Sequence, residues 1–257
     1  MSEFFGFGGY SRVPEGSYSW QHLTFVTTLV LIMIALAVFL GRKNRNASDK
    51  AKNRVLCYAA LAIDGLELLK IVLLCFRQED PMNWLYNLPL FLCSIQLITI
   101  PLAALSKGKH REAALDFVMI FGMLGALLGT YGAAQNYGCY PVLSFDNVVS
   151  GITHCISGFC ALYIGISGMA SMKKENILVT YGILLGFGAA AYIVNRLIDY
   201  NYMFLMRGDG TPYDILYNLV GGHPVWYPVG VIALFLLYIT GFYLVFFQAK
   251  RKQKITA

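Results

Sequence analysis

Apolar residues along the chain fall into seven blocks, 21–41, 55–77, 84–105, 113–131, 147–169, 177–198 and 227–247, separated by short polar stretches. A hydrocarbon core ~30 Å thick needs ~20 residues of helix, and each block meets or nearly meets that length. The second and sixth carry charges, and the third holds Pro89 near its start and Pro101 near its end. Proline is tolerated in a membrane helix where neighbours satisfy the freed backbone groups. The pattern predicts an all-α polytopic membrane protein, a bundle of seven transmembrane helices over 21–249. A 1–20 N-terminal segment and a 250–257 basic tail flank it. No internal repeat and no low-complexity segment interrupts the series.

Composition supports lipid as the solvent. Hydrophobic residues make up 57% of the chain and charged residues 13%, against ~45–50% and ~25% in soluble domains. Residues 1–20 are polar and rich in Gly, Tyr and Ser, so no cleavable signal is expected there.

The basic residues set an orientation. Arg42, Lys43, Arg45, Lys50, Lys52 and Arg54 follow the first block; Lys107, Lys109 and Arg111 follow the third; Lys173 and Lys174 follow the fifth; and Lys250, Arg251, Lys252 and Lys254 form the tail. With seven spans all four groups fall on one side, which the positive-inside rule makes cytoplasmic. The N-terminus is then outside and the C-terminus cytoplasmic. The net charge of +6 reflects topology and lipid contact, not nucleic-acid binding.

Six cysteines show no CxxC pair and no framework spacing, so neither a metal nor another cofactor is expected. Gly125 and Gly129, and Gly182 and Gly186, form GxxxG pairs. Such pairs let membrane helices approach closely, within one chain or between two copies in a homodimer.

Ionisable residues inside a span are expensive, and each needs a reason. Asp64, Glu67 and Lys70 lie within one arc of ~120° on the second span. Either they form an internal salt-bridge set or they line a polar cavity. The fifth span carries a small and polar stripe of Asn147, Ser150, Gly151, His154, Ser157, Gly158 and Ala161. The sixth ends with Tyr192, Asn195, Arg196 and Asp199 at helical spacing, read as an interfacial Arg–Asp pair or a head-group site. On the third span Cys93 shares a face with Gln96. Counted from the outer ends of their spans, Cys93 and His154 lie at similar depths of ~13 Å and ~10 Å.

A thiol beside an imidazole is the apparatus of acyl transfer. Cys93 would attack an ester carbonyl and hold the acyl group as a thioester, with His154 as general base. Asn195 is the candidate to orient the imidazole, and Gln96 or a freed backbone N–H the candidate to stabilise the oxyanion. Burial in the bilayer would favour transfer over hydrolysis.

Three segments carry a resemblance: LPLFLC at 88–93, ITHCISGF at 152–159, and NYMFL at 201–205 followed by HPVWYP at 223–228. In order and spacing they resemble the YwaF-type integral membrane protein family, related to the animal enzyme transmembrane protein 164, a cysteine-centred phospholipid acyltransferase. The resemblance implies Cys93 as nucleophile and His154 as the helical histidine. It implies phospholipid and lysophospholipid as substrates, and a role for Asn201 and Tyr202. Many such members carry a histidine where this chain has Phe91, so here the base chemistry falls on His154. Glu67, Lys70, Gln96 and Arg196 complete the expected substrate-binding set.

Two other classes remain open. A transporter or channel would use Asp64, Glu67, Lys70, Asn195 and Arg196 as a path and would tolerate Cys93→Ala. A structural or receptor-like protein would share the span count, but the seventh block holds no lysine for a retinal Schiff base, and SKGKHRE rather than a DRY triplet follows the third.

Overall fold

The computed structural model describes residues 2–256. It is all-helical, with ten α-helices in chain order: α1 Ser2–Phe5, α2 Trp20–Asn44, α3 Asp49–Arg77, α4 Gln96–Leu105, α5 Gly108–Thr130, α6 Ala134–Cys139, α7 Phe145–Ser167, α8 Lys174–Ile198, α9 Tyr213–Leu219 and α10 Trp226–Thr256. Short 3₁₀ turns cover Asn83–Asn87 and Tyr202–Phe204.

Local sequence explains the helix ends. Ser19, Ser48 and Ser144 each cap a helix N-terminus, their hydroxyls accepting from the backbone N–H three residues on. Gly168 ends α7 at φ 73°, and the Met169 N–H reaches back to the Ile164 carbonyl. That is the left-handed stop that glycine adopts without strain.

Five stretches are long and apolar enough to cross a membrane: α2, α5 with α6, α7, α8 and α10. Most of α5 and α7 is buried, whereas α2, α8 and α10 expose most of their surface. The exposed side chains include Leu31, Leu178, Leu197 and Leu237, which suits contact with lipid. At the centre α5 packs along α7; α2 lies on the other side of α7; α3 and α4 close against α5 and α7; and α8 and α10 form a flanking pair on α5.

Two of the seven expected spans differ. The third, 84–105, is not one helix. A 3₁₀ turn, an irregular stretch through residue 95 and the ten-residue α4 replace it. Pro89 is the reason: it holds the preceding Leu88 extended at ψ 150°, and the helical path breaks there. At ~1.5 Å per residue α4 reaches only ~15 Å, half of a bilayer core. The second, α3, is long enough at 29 residues, but its charges exclude it from the apolar set. The last helix, α10, continues past the seventh block to Thr256.

The N-terminal segment is tied down. Phe4 packs edge-on and Phe5 tilted against Phe145, and Glu15 accepts from the Val142 N–H at 2.7 Å. Arg77 at the end of α3 makes a two-pronged pair with Asp146 in the first turn of α7, at 2.7 and 2.9 Å. The Tyr10 hydroxyl donates to the same carboxylate at 2.5 Å. Burial and that carboxylate push the Tyr10 hydroxyl up to about 12, so it stays a donor over the ordinary pH range.

A second clasp sits near the other end of α5. The fully buried Asp116 accepts from the Met172 N–H, the Asn176 amide and the Tyr243 hydroxyl, at 3.0, 2.8 and 3.0 Å. It ties α5 to the α7–α8 loop, α8 and α10. We predict that Asp116→Ala, which strands three buried donors, lowers stability by roughly 3 kcal/mol. Tyr243→Phe, which removes one donor, lowers it by roughly 1 kcal/mol. Denaturant unfolding of the detergent-solubilised variants measures both, and equal, negligible losses would show the clasp to be dispensable.

Candidate active site

Cys93 lies in the irregular stretch where the third block breaks, three residues ahead of α4. Reciprocal bonds shape the stretch. The Phe91 N–H donates to Ser94 Oγ at 3.0 Å, Ser94 Oγ–H returns to the Phe91 carbonyl at 3.1 Å, and the Ile95 N–H bonds the same carbonyl at 2.9 Å.

Cys93 lies against Gly125 and His154 against Gly129, one turn apart on α5, which brings the thiol and the imidazole side by side. Both residues are half-buried. His154 Nδ1 lies 2.7 Å from the Ser150 carbonyl oxygen one turn earlier on α7. A carbonyl can only accept, so Nδ1 carries the proton and Nε2 of the neutral ring is left as a base. The ring has room because Gly129 of α5 lies against it. A Cβ there would overlap the imidazole. Gly125, one turn earlier, lies beneath Cys93, where a Cβ would make ordinary contact at 3.5 Å. The first GxxxG pair thus faces the thiol and the imidazole within one chain. The second pair differs, since Gly182 and Gly186 on α8 face open space.

Lys70 and Glu67 of α3 pair at 2.5 Å, their side chains only 18% and 13% exposed. The Lys70 charge is felt at the His154 ring. Gln96 opens α4 and is fully buried. Its carbonyl oxygen accepts from Thr99 Oγ–H at 3.1 Å, and its Nε2 has no protein partner. Cys93, His154, Lys70, Glu67 and Gln96 therefore belong to one region bounded by α3, α4, α5 and α7.

The remaining expected residues lie elsewhere. Asn195 is not the group that orients His154. Its amide donates to the Tyr202 carbonyl at 3.0 Å and accepts from the Tyr202 N–H at 2.7 Å, so both its functions are committed. Asn201 is likewise committed, to the backbone of Met206 and Arg207 and to Asp209. Arg196 is exposed and forms no ion pair with Asp199 among the described residues. Tyr202 acts at a distance from the chemistry. Its hydroxyl donates to the Leu85 carbonyl at 2.5 Å and accepts from the Leu88 N–H at 3.0 Å, and Phe91 packs on its ring. Asn195 thus holds Tyr202, and Tyr202 holds the segment that leads into Cys93. The loop is strained as well as buried, with Asp199, Met203 and Phe204 at φ 52°, 55° and 55°.

Two apolar grooves, about 500 Å³ between α2, α3 and α7 and about 570 Å³ between α8 and α10, contain neither Cys93 nor His154.

The TMEM164 family model matches residues 17–246. The chain belongs to the TMEM164 family. It is an integral membrane protein of that family, and the matched region takes in Cys93, His154 and the Tyr202 loop together. No curated protein and no solved structure matches the chain.

The glycine contacts yield a test with opposite signs. Gly125→Ala adds a tolerated methyl and removes a flexible residue from a helix, so the melting temperature holds or rises. Gly129→Ala forces the imidazole out of its place and costs about 1–3 kcal/mol. Thermal melts in one detergent compare them, and the same sign for both would contradict the packing described.

Proposed function

We propose that this member of the TMEM164 family is a membrane-embedded acyltransferase that moves a fatty acyl chain between phospholipid and lysophospholipid. The observation that carries the reading is the Cys93 thiol beside a His154 ring whose Nδ1 proton is held by Ser150, which leaves Nε2 as the base.

In the first half, Nε2 takes the thiol proton, and the sulfur attacks the ester carbonyl of a phospholipid. The C–S bond forms, the C–O bond breaks, and His154 returns the proton to the departing oxygen, releasing lysophospholipid. In the second half, the hydroxyl of another lysophospholipid gives its proton to Nε2 and attacks the thioester, and the Cys93 thiol is restored. The Cys93 and Ser94 amides and Gln96 Nε2, which has no protein partner, are the candidate donors for the developing oxyanion. Scarcity of water at membrane depth favours a hydroxyl acceptor over hydrolysis. Seven crossings with the N-terminus outside, in a bacterial plasma membrane, and membership of the YwaF type complete the reading. It follows that α3 and the segment ending in α4 cross as parts of the bundle beside the five apolar stretches, and that the chamber opens to the outer leaflet.

The test is incubation of purified protein with a labelled phospholipid and a lysophospholipid. Label is expected on Cys93, released by hydroxylamine and absent from Cys93→Ser. Lipid remodelling at the wild-type rate in both Cys93→Ala and His154→Ala would overturn the mechanism and favour a transport path through the same polar residues.

A further inference from the structure

The Lys70–Glu67 pair is not needed to explain the Cys93–His154 chemistry, yet it sits at the same level in the bundle. The Arg77–Asp146 pair joins the end of α3 to the start of α7 and so fixes their register. From that junction Lys70 lies seven residues back along α3 and His154 eight residues along α7, or ~10 Å and ~12 Å at ~1.5 Å per residue. The two side chains therefore share a depth, consistent with the Lys70 charge reaching the His154 ring.

Lys70 is also incompletely used. An ammonium offers three N–H donors. Its partner among the described residues is Glu67 alone. Of the ion pairs in the described structure this one lies within a span, whereas those of Arg12, Arg77, Lys173 and Arg207 lie at helix ends or in loops. A buried pair of this kind is a weak source of stability, because desolvation offsets most of the attraction.

A glycerophospholipid ester held at Cys93 carries its phosphate a few bonds from the reacting carbonyl. Only a cation at that depth can receive the phosphate without leaving a charge unpaired in a low-dielectric region. Arg196, the other cationic candidate on the sixth span, is exposed on α8 outside this region.

We infer that Lys70 is a specificity-determining residue that reads the phosphate of the lipid, and that Glu67 discriminates against head groups carrying net negative charge. A zwitterionic head group leaves every charge compensated, its phosphate on Lys70 and its ammonium towards Glu67. An anionic lipid such as phosphatidylglycerol brings the phosphate without an ammonium, so Lys70 alone faces two negative charges, the phosphate and Glu67; a neutral glyceride leaves Lys70 with Glu67 alone and gains nothing from either. The inference rests on the acyl-transfer reading for its biological meaning.

Its test does not depend on turnover. Ether-linked lipids have no ester for Cys93 to attack, so binding of dialkyl phosphatidylethanolamine, dialkyl phosphatidylglycerol and dialkylglycerol to the full-length protein can be compared by native mass spectrometry. The wild type is expected to bind them in that order. Lys70→Gln should lose roughly tenfold or more for the zwitterionic lipid, down to the level of dialkylglycerol. Lys70→Arg should retain the preference, and Glu67→Gln should bring the anionic lipid up towards the zwitterionic one. Retained preference in Lys70→Gln would overturn the inference, as would equal weakening for all three lipids, which marks a structural pair. Full protection by inorganic phosphate alone would assign the group to a free anion instead. Failure of Cys93 to become acylated from ester lipids sinks the transfer reading separately, without altering these binding ratios.

Discussion

The close approach of α5 to α7 is the constraint on which the structure depends. Three glycines make it possible. A Cβ on Gly122 would stand 2.6 Å from the Ser157 carbonyl oxygen, one on Gly158 would stand 2.6 Å from Ala126 Cβ, and one on Gly129 would overlap His154. In lipid there is no hydrophobic force to draw helices together, so close backbone contact and internal hydrogen bonds must hold the bundle. The same seam that packs the core also brings α4 and its leading turn against α5, and so delivers Cys93 to the histidine on α7.

Two further devices set the site within that frame. The Arg77–Asp146 pair, reinforced by Tyr10, fixes the register of α3 against α7 and so brings Lys70 to the level of His154. The Asn195–Tyr202–Leu88 chain of hydrogen bonds holds the non-helical segment before Cys93. Non-helical backbone at membrane depth survives only where protein satisfies it. Here Tyr202, Ser94 and the Phe91 carbonyl do so. A broken helix thereby becomes a fixed mount for Cys93.

Much of this was legible in the sequence. The apolar blocks mark α2, α5, α7 and α8 to within about five residues and the start of α10 to within one, and the small and polar stripe on the fifth block picks out His154. The depth counted for Cys93 assumes a helix running on from Trp84, which the structure replaces with a 3₁₀ turn and an irregular stretch, so that count does not carry over. Other features were hidden for physical reasons. Asn195 has the right residue type and a suitable depth to orient an imidazole, but its loop folds back and takes both ends of the amide. The Ser150 carbonyl that holds His154 is backbone, and no side-chain pattern reports it. Asp116 carries no partner nearby in sequence; Met172, Asn176 and Tyr243 reach it only once the helices have packed. The role of Gly125 and Gly129 could be read as close packing, but not which side chains they admit.

The central claim is that His154 governs the reactivity of Cys93. Site-resolved alkylation by iodoacetamide of the folded protein in detergent measures this directly, with the buried Cys155 on the same helix as an internal reference. The account predicts that His154→Gln slows Cys93 alkylation by about tenfold or more while Cys155 is unchanged. A Cys93 rate indifferent to the loss of His154 would contradict it.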